Sequence, residues 1–327
     1  SDMQSVQVPL IDRAIFFDHP EIAGGKLSPD GTLISFLKPY QGILNVWVKS
    51  LASDMEEAIP VTAADRPMSG YFWSRDGKYI VYALDRNGDE NINIYAVDPH
   101  AEKASGGVPP SRNLTPFESV SARIYQAAWT DSDLFWVGLN DRDEAWHDLY
   151  ALELSTGNLT RHFTNTERMT GYVFDWEDEL RGFYQTDEKG VTQILYKEGH
   201  NLKPIFEVPV SESVSVVGWT PDNKKMYLVT NEGERDLLTL CTLDPATVEV
   251  EDVESDPEGR VDIDGVRFDR HTREIIVTSY VDERERKYWK QDDWERYYAE
   301  LNERFPDREV DFQSSDDAYE RFLISLT

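Results

Sequence analysis

Oxygen-bearing side chains occupy alternate positions at the start of the stretch DRNGDENINIY, which covers residues 85–95. They are Asp85, Asn87, Asp89 and Asn91. Oxygen ligands at positions one, three and five are typical of an EF-hand calcium loop, which also needs Gly at position six and Glu at position twelve. Counting from Asp85 puts Gly88 at position four and Ala96 at position twelve, so the pattern fails at both places. A tight hairpin between two strands is the competing interpretation.

Counterparts of this stretch elsewhere in the chain favour the hairpin. When the strands that follow are aligned, Asp85 stands opposite uncharged residues, namely Asn140, Thr186 and Asn231. A shared position without shared carboxylates is typical of a turn between strands. Calcium binding by Asp85, Asn87 and Asp89 remains the alternative, and we expect no other metal and no cofactor.

The motifs that mark common catalytic chemistries are missing from the sequence. The nearest matches to the G-x-S-x-G nucleophile elbow surround Ser69 and Ser105, and both lack a required glycine. There is no H-E-x-x-H, no Gly-Lys phosphate loop and no dinucleotide fingerprint. The single cysteine, Cys241, lies in the apolar run LLTLCTLD, which favours a core residue over a nucleophile. We therefore predict no catalytic residue in this chain.

The charge and hydropathy of the chain exclude several classes of partner. Its net charge of −29 comes from 62 acidic and 33 basic residues, and such a field repels nucleic-acid phosphates and anionic membranes. The sequence contains no run of 18 apolar residues, so it predicts no membrane-spanning helix. The first residues also lack the basic and apolar regions of a signal peptide. The compartment stays open between the cytoplasm and, if a signal peptide has been removed, the periplasm.

A repeat organises the chain. Each copy contains an aromatic or apolar residue, a short turn, an apolar strand, a polar hairpin and a second strand, as in WSRDGKYIVYALDRNGDENINIYAVD. The copies start near residues 27, 73, 129, 176, 219, 268 and 314. Units of 40 to 50 residues with four short strands are typical of propeller blades. The sequence therefore predicts an all-β fold, a seven-bladed β-propeller.

The turns and the tryptophans of the repeat have structural interpretations. In SPDG, SRDG and TPDN, Asp or Ser can accept local backbone hydrogen bonds, and Gly or Asn tolerates a positive φ. The recurrent tryptophans, at positions 73, 129, 176 and 219, are large enough to fill the space between neighbouring blades. We expect them to pack there, with ligand recognition as the alternative.

Two segments interrupt the repeat. Residues 9–21 predict a short helix that ends at Pro20, so residues 1–22 form an N-terminal extension and residues 23–327 the propeller. Residues 288–305 predict a helical insertion in blade six, because four apolar side chains share one helical face. They are Trp294, Tyr297, Tyr298 and Leu301. We expect this face to pack on the outside of the propeller, with docking of another domain as the second choice.

The seventh copy of the repeat stops after RFLISLT, before the later strands found in the other copies. An incomplete blade leaves an unpaired sheet edge, which proteins usually cover or pair. We therefore expect the last blade to be incomplete and the chain to be a fragment of a longer protein.

With these residues in view, the chain resembles the N-terminal β-propeller domain of the prolyl oligopeptidase family of serine peptidases, in its acylaminoacyl-peptidase-like branch. The resemblance is carried by LSPDG followed by NVWV, by the second copy of the repeat and by NDRDEAWHDLYALELSTGNLT. The stretch RKYWKQDDWERYYAELN leading to DDAYERFLIS also fits. In this family the propeller covers a following α/β-hydrolase domain, which supplies the catalytic Ser, Asp and His.

This resemblance implies a non-catalytic domain that gates the access of peptides to the hydrolase domain of a serine oligopeptidase or exopeptidase. The implied partners are that C-terminal domain of the same parent chain and peptide substrates, and the implied parent reaction is peptide bond hydrolysis. A stand-alone protein-binding propeller is the alternative. A propeller enzyme of the lactonase or glycosidase type is a third possibility.

Overall fold

The computed structural model describes residues 13–16, 22–68, 70–85, 88–105 and 107–327. Within these ranges the strands form seven separate sheets, which follow one another along the chain. This arrangement confirms the predicted all-β fold, a seven-bladed β-propeller. The first described strand, β1 (Ala14–Phe16), belongs to the seventh sheet.

Sheets one to three each contain four strands, which pair antiparallel in chain order. Sheet one consists of β2 (Ala23–Leu27), β3 (Leu33–Tyr40), β4 (Ile43–Ser50) and β5 (Ile59–Pro60). Sheet two consists of β6 (Phe72–Trp73), β7 (Ile80–Asp85), β8 (Ile92–Val97) and β9 (Ser111–Asn113). Sheet three consists of β10 (Ala122–Ala127), β11 (Leu134–Asp143), β12 (Trp146–Glu153) and β13 (Leu159–Phe163).

Sheets four and five follow the same order, whereas sheet six has three strands within the described residues. Sheet four consists of β14 (Met169–Phe174), β15 (Leu180–Thr186), β16 (Thr192–Glu198) and β17 (Asn201–Val208). Sheet five consists of β18 (Val214–Trp219), β19 (Met226–Thr230), β20 (Thr239–Leu243) and β21 (Val250–Glu254). Sheet six consists of β22 (Ile263–Phe268), β23 (Ile275–Val281) and β24 (Glu285–Trp289).

The helix α1 (Asp292–Arg304) follows sheet six, and the last sheet comes after it. Sheet seven pairs β25 (Val310–Ser315) with β26 (Phe322–Leu326) antiparallel, and β1 lies parallel to β26 on its other side. The described chain divides into two compact units. Residues 165–296 form one unit, which holds sheets four to six, and the residues before and after this range form the other.

The turns after the first strands have the predicted chemistry. Asp30 Oδ1 accepts hydrogen bonds from the Ser28 hydroxyl at 2.7 Å and from the Thr32 backbone N–H at 3.0 Å. The same arrangement recurs at Asp76 and at Asp222. Gly31 and Gly77 have φ values of 74° and 72°, in the left-handed region that glycine tolerates best. The copies of the repeat therefore share a physical turn as well as a sequence pattern.

Each copy of the sequence repeat starts near the end of the first strand of a sheet, and not at the beginning of that sheet. Each predicted start falls within two residues of the end of the strand that comes first in its sheet, such as Leu27 at the end of β2 and Trp219 at the end of β18. The first strands vary more in sequence than the turns that follow them. The turn thus marks the junction between strands one and two, and the sheet begins earlier than the pattern suggests.

The predicted N-terminal helix is wrong where the structure describes it. Ala14, Ile15 and Phe16 form strand β1 and pair with Phe322, Leu323 and Ile324. The rest of the predicted helix, residues 9–12 and 17–21, lies outside the described residues. Ile15 packs on the buried cluster of Leu27, Phe36 and Leu323, so the hydrogen-bonding edge of β26 and this apolar contact outweigh the local helical spacing.

The predicted helical insertion is confirmed, with shorter bounds. Tyr288 and Trp289 belong to β24, in register with Thr278 and Val277, and the helix starts at Asp292. Trp294, Tyr297 and Leu301 are buried, with 9%, 2% and 0% exposure. Trp294 stacks on Trp289, and Tyr297 contacts Phe312 and Phe322. The apolar face therefore packs on strands of this chain, as expected.

Candidate functional site

The stretch that suggested calcium is a hairpin in the structure. Asp85 is the last residue of β7 and pairs with Ile92 of β8. Asp85 Oδ1 lies 2.9 Å from Arg66 Nε, and Asp89 Oδ1 accepts a hydrogen bond from the Asn91 backbone N–H at 3.0 Å. The third calcium candidate, Asn87, lies outside the described residues. No group of three His, Cys, Asp or Glu side chains in the described ranges is placed to hold a metal ion.

The recurrent tryptophans join neighbouring sheets, as predicted from the repeat. Trp176 Nε1 donates to Trp219 O, and Trp219 Nε1 donates to Phe174 O, both at 3.0 Å. Trp73 Nε1 donates to Ser35 Oγ at 2.8 Å in the sheet before it. Trp129 differs, because it is 38% exposed and its ring is covered by the Arg75 guanidinium at 3.6 Å. The tryptophan positions are therefore structural, and one of them faces solvent.

The first strands of neighbouring sheets lie in direct contact. Leu27 N of β2 donates to Ser314 Oγ of β25 at 3.0 Å, and Gln313 Nε2 donates to Gly25 O at 3.1 Å. Propeller blades surround a central channel, and strands that meet across neighbouring blades are those closest to it. Solvent-accessible side chains on first strands are therefore the candidates for contact with a ligand in such a channel.

In the unit that holds sheets one, two, three and seven, these candidates include two cations. Lys26 on β2 is half-buried, Arg123 on β10 is exposed, and Phe72 on β6 is 49% exposed. Asp311 and Gln313 on β25 are also exposed. In the unit of residues 165–296, the exposed positions on first strands include Thr170, Ser215 and Asp264.

Lys26 has an aromatic environment. Its ammonium lies 4.7 Å from the centre of the Tyr71 ring and 4.9 Å from that of Phe72, and it donates to Tyr71 O. Burial lowers the pKa of this ammonium from its usual value. Two ring faces and one carbonyl partly replace the water that burial removes. Sequence analysis missed Lys26 because it belongs to no motif. The signal that could have marked it as a candidate is the presence of a lysine just before the SPDG turn in a strongly acidic chain.

Histidine 147 lies near the exposed Arg123. Its Nε2 lies 3.1 Å from Ser121 O. Burial, and after it the positive charge of Arg123, lowers the pKa of His147 from its ordinary value. The imidazole is therefore expected to be neutral at pH 7, and the positive charge on this part of the first-strand surface comes from Arg123.

Comparison with solved structures agrees with the propeller fold. No family model matches the sequence. Among solved structures, an oligogalacturonate lyase in complex with manganese is similar with a TM-score of 0.51 at 16% identity, over 78% of this chain and 68% of that one. This likeness concerns the propeller fold alone.

Two relatives are peptidases by name. The chain is 29% identical to the dipeptidyl aminopeptidase BIII of Pseudoxanthomonas mexicana over 277 residues, which are 83% of this chain and 38% of the relative. It is 25% identical to the dipeptidyl peptidase family member 6 of Caenorhabditis elegans over 175 residues, 53% of this chain and 23% of the relative. The chain is thus a β-propeller with peptidase homologues of the prolyl oligopeptidase type, and it matches less than half the length of each relative.

No helix in the part of the chain that the structure describes is long and apolar enough to cross a membrane.

Proposed function

We propose that this chain is the propeller domain of a serine peptidase and that it limits the access of substrates to an α/β-hydrolase domain of the same parent protein. The similarity to the dipeptidyl aminopeptidase carries the proposal, since it extends over 83% of this chain but only 38% of the relative. The unmatched length of that relative is sufficient for a further domain. Peptide bond hydrolysis then belongs to the hydrolase domain, and this chain contributes no catalytic residue.

The physical basis of the proposed gating is size exclusion. A channel between rigid blades admits a narrow, extended peptide and excludes a folded protein, because close-packed sheets resist deformation. The side chains that a passing peptide meets are those on the first strands. In the unit with sheets one to three these include Phe72, Lys26 and Arg123.

Kinetics of the full-length parent peptidase test this role. The measured quantity is the ratio of kcat/KM for a dipeptidyl p-nitroanilide to kcat/KM for a long unstructured peptide. Phe72→Ala removes an exposed ring from a first strand, so we expect kcat/KM for the long peptide to rise relative to kcat/KM for the short substrate. Phe117→Ala is the matched control, because Phe117 is 42% exposed but lies in the connection between β9 and β10. Equal ratios for both variants and the wild type would refute gating at this surface.

The competing functions give different results with simple experiments. The gene of the parent protein should encode a G-x-S-x-G elbow in the same reading frame, and its absence would support a stand-alone protein-binding propeller. The chain alone should not hydrolyse p-nitroanilide substrates. Turnover of a lactone or a glycoside by the chain alone would support a propeller enzyme instead.

A further inference from the structure

A cavity of about 470 Å³ opens beside sheet two, away from the first strands. Its walls come from the segment after β5, from β7 and β8, and from the connection that leads into β9. None of the residues that line it belongs to a first strand. Its volume falls within the range of ligand-binding pockets in proteins, roughly 300 to 1,000 Å³. A ligand here would not occupy the surface proposed above for peptide access.

The inner wall of this cavity is aromatic and fixed in place. Tyr82 and Tyr95 are directly paired across β7 and β8, and their rings stack at 5.2 Å with an angle of 9° between planes. Tyr82 donates its hydroxyl hydrogen to Ser111 Oγ at 2.8 Å. Burial raises the pKa of Tyr82 to about 12, so this phenol stays neutral at physiological pH. Tyr82 is 4% exposed, so the partly buried Tyr95, held in place by this stack, offers the preorganised aromatic surface to a flat ligand.

The remaining lining is mostly apolar and includes one carboxylate. Leu84, Val108, Pro109 and Pro110 supply apolar contacts, and the exposed Asp65 lies at the cavity. Among the described residues that line it there is no lysine or arginine. The neighbouring Arg66 is paired with Asp85 at 2.9 Å, which offsets its charge. Asp65 is therefore the charged group in the described lining, and the net charge of −29 on the whole chain also favours a cation over an anion.

We propose that this cavity binds a small amine that carries an aromatic ring. The ring lies against the Tyr82–Tyr95 wall and the two prolines, where it adds to an existing stack. The ammonium group lies at Asp65 and remains partly in water. The proposal does not depend on the proposed gating role, because the two surfaces share no residue.

Ligand-observed NMR and calorimetry on the full chain test the proposal with three probes of nearly equal shape. The probes are 2-phenylethylamine, 2-phenylethanol and phenylacetate. We expect saturable binding of the amine, binding of the alcohol that is weaker by roughly threefold, as an exposed ion pair supplies, and no measurable binding of the carboxylate. Equal binding of the amine and the alcohol, or tighter binding of the carboxylate, would overturn the proposal.

Two variants locate the binding to this cavity. Asp65→Asn should remove the preference for the amine over the alcohol, whereas Glu118→Gln, an exposed acid outside the cavity, should leave it unchanged. Tyr95→Leu keeps an apolar side chain on β8 and should weaken both ligands alike. Because Asp65 is exposed, its variant should unfold like the wild type, so a lost preference cannot come from misfolding. Binding that is the same in Asp65→Asn and Glu118→Gln would place the amine elsewhere and refute the assignment.

Discussion

Replacing Trp219 by Phe should destabilise the unit that holds sheets four to six. Trp219 is 2% exposed, and its indole N–H donates to Phe174 O at 3.0 Å in the preceding sheet. The Arg181 guanidinium also lies 4.3 Å from the centre of its ring. Phe retains one six-membered ring but has no N–H and fills less of the space between the sheets.

The expected loss of stability follows from these contacts. Removing the donor from a buried carbonyl costs about 1–3 kcal/mol. The smaller ring loses buried apolar contact, which adds about 1–2 kcal/mol at about 0.8 kcal/mol per methylene-sized group. We therefore expect Trp219→Phe to lower the free energy of unfolding by about 2–5 kcal/mol.

Trp129→Phe is the matched control, because Trp129 follows a first strand at the same point of the repeat. It is 38% exposed, and the Arg75 guanidinium lies 3.6 Å from the centre of its ring. A partly exposed cation–π contact is worth about 0.5–1 kcal/mol, and Phe retains part of it. We therefore expect a loss below about 1 kcal/mol for the control.

Urea unfolding followed by far-UV circular dichroism measures both losses, since nine tryptophans complicate fluorescence. If the two compact units unfold in separate transitions, the comparison uses the transition that Trp219→Phe shifts, because a single free energy is then undefined. Losses for the two variants within about 0.5 kcal/mol of each other, the usual range for surface substitutions, would show that burial and the indole hydrogen bond do not decide the strength of this junction.

Three further predictions concern pH, chemical reactivity and the helix. Arg286 holds the pKa of Asp256 well below its usual range. The Asp256 carboxylate therefore stabilises the folded chain fully above the unfolded pKa near 3.9, and this stabilisation is lost as pH falls towards the folded pKa. The difference in urea midpoint between the wild type and Asp256→Asn should therefore be constant from about pH 5 to 7 and shrink below about pH 4; a difference independent of pH would contradict this. Burial raises the pKa of the Cys241 thiol to about 11, so a disulfide reagent at about pH 8 should label it only after unfolding, and fast labelling of the native chain would disprove its burial. Leu301→Ala, at a fully buried position of α1, should lower the free energy of unfolding by about 2–5 kcal/mol, whereas exposed Glu303→Ala should change it by less than about 0.5 kcal/mol; similar urea midpoints for the two would show that the helix is not held by its apolar face.

The sheets and the turns could be predicted from the sequence because their causes are local. Asp30 and Gly31 form the turn through contacts within a few residues, and the same pattern returns at Asp76 and Gly77. The apolar face of α1 is likewise visible at helical spacing. Because the same strand and turn pattern occurs seven times in the sequence, the fold class could be predicted without any long-range information.

The features that sequence analysis missed all depend on distant partners. Residues 14–16 form a strand because the edge of β26 is available to them, and nothing near them in the sequence reveals that edge. Lys26 acquires its aromatic surroundings from Tyr71 and Phe72, which belong to the next sheet or directly precede it. The cavity beside sheet two needs the exact register that pairs Tyr82 with Tyr95. The register of paired strands and the availability of a neighbouring sheet edge depend on the packed fold and not on the local sequence pattern.

The parallel pairing of β1 with β26 has a consequence for the order in which the chain folds. Among the described strands, every other sheet pairs strands that follow one another closely, whereas here Arg13 Nη1 reaches Tyr319 O across 306 positions. Closing so long a loop in an unfolded chain costs about 5 kcal/mol of entropy, and far less once the intervening sheets have formed. Such distant contacts form slowly. Sheet seven should therefore assemble last, and β1 should be among the first strands to exchange its amide hydrogens with solvent.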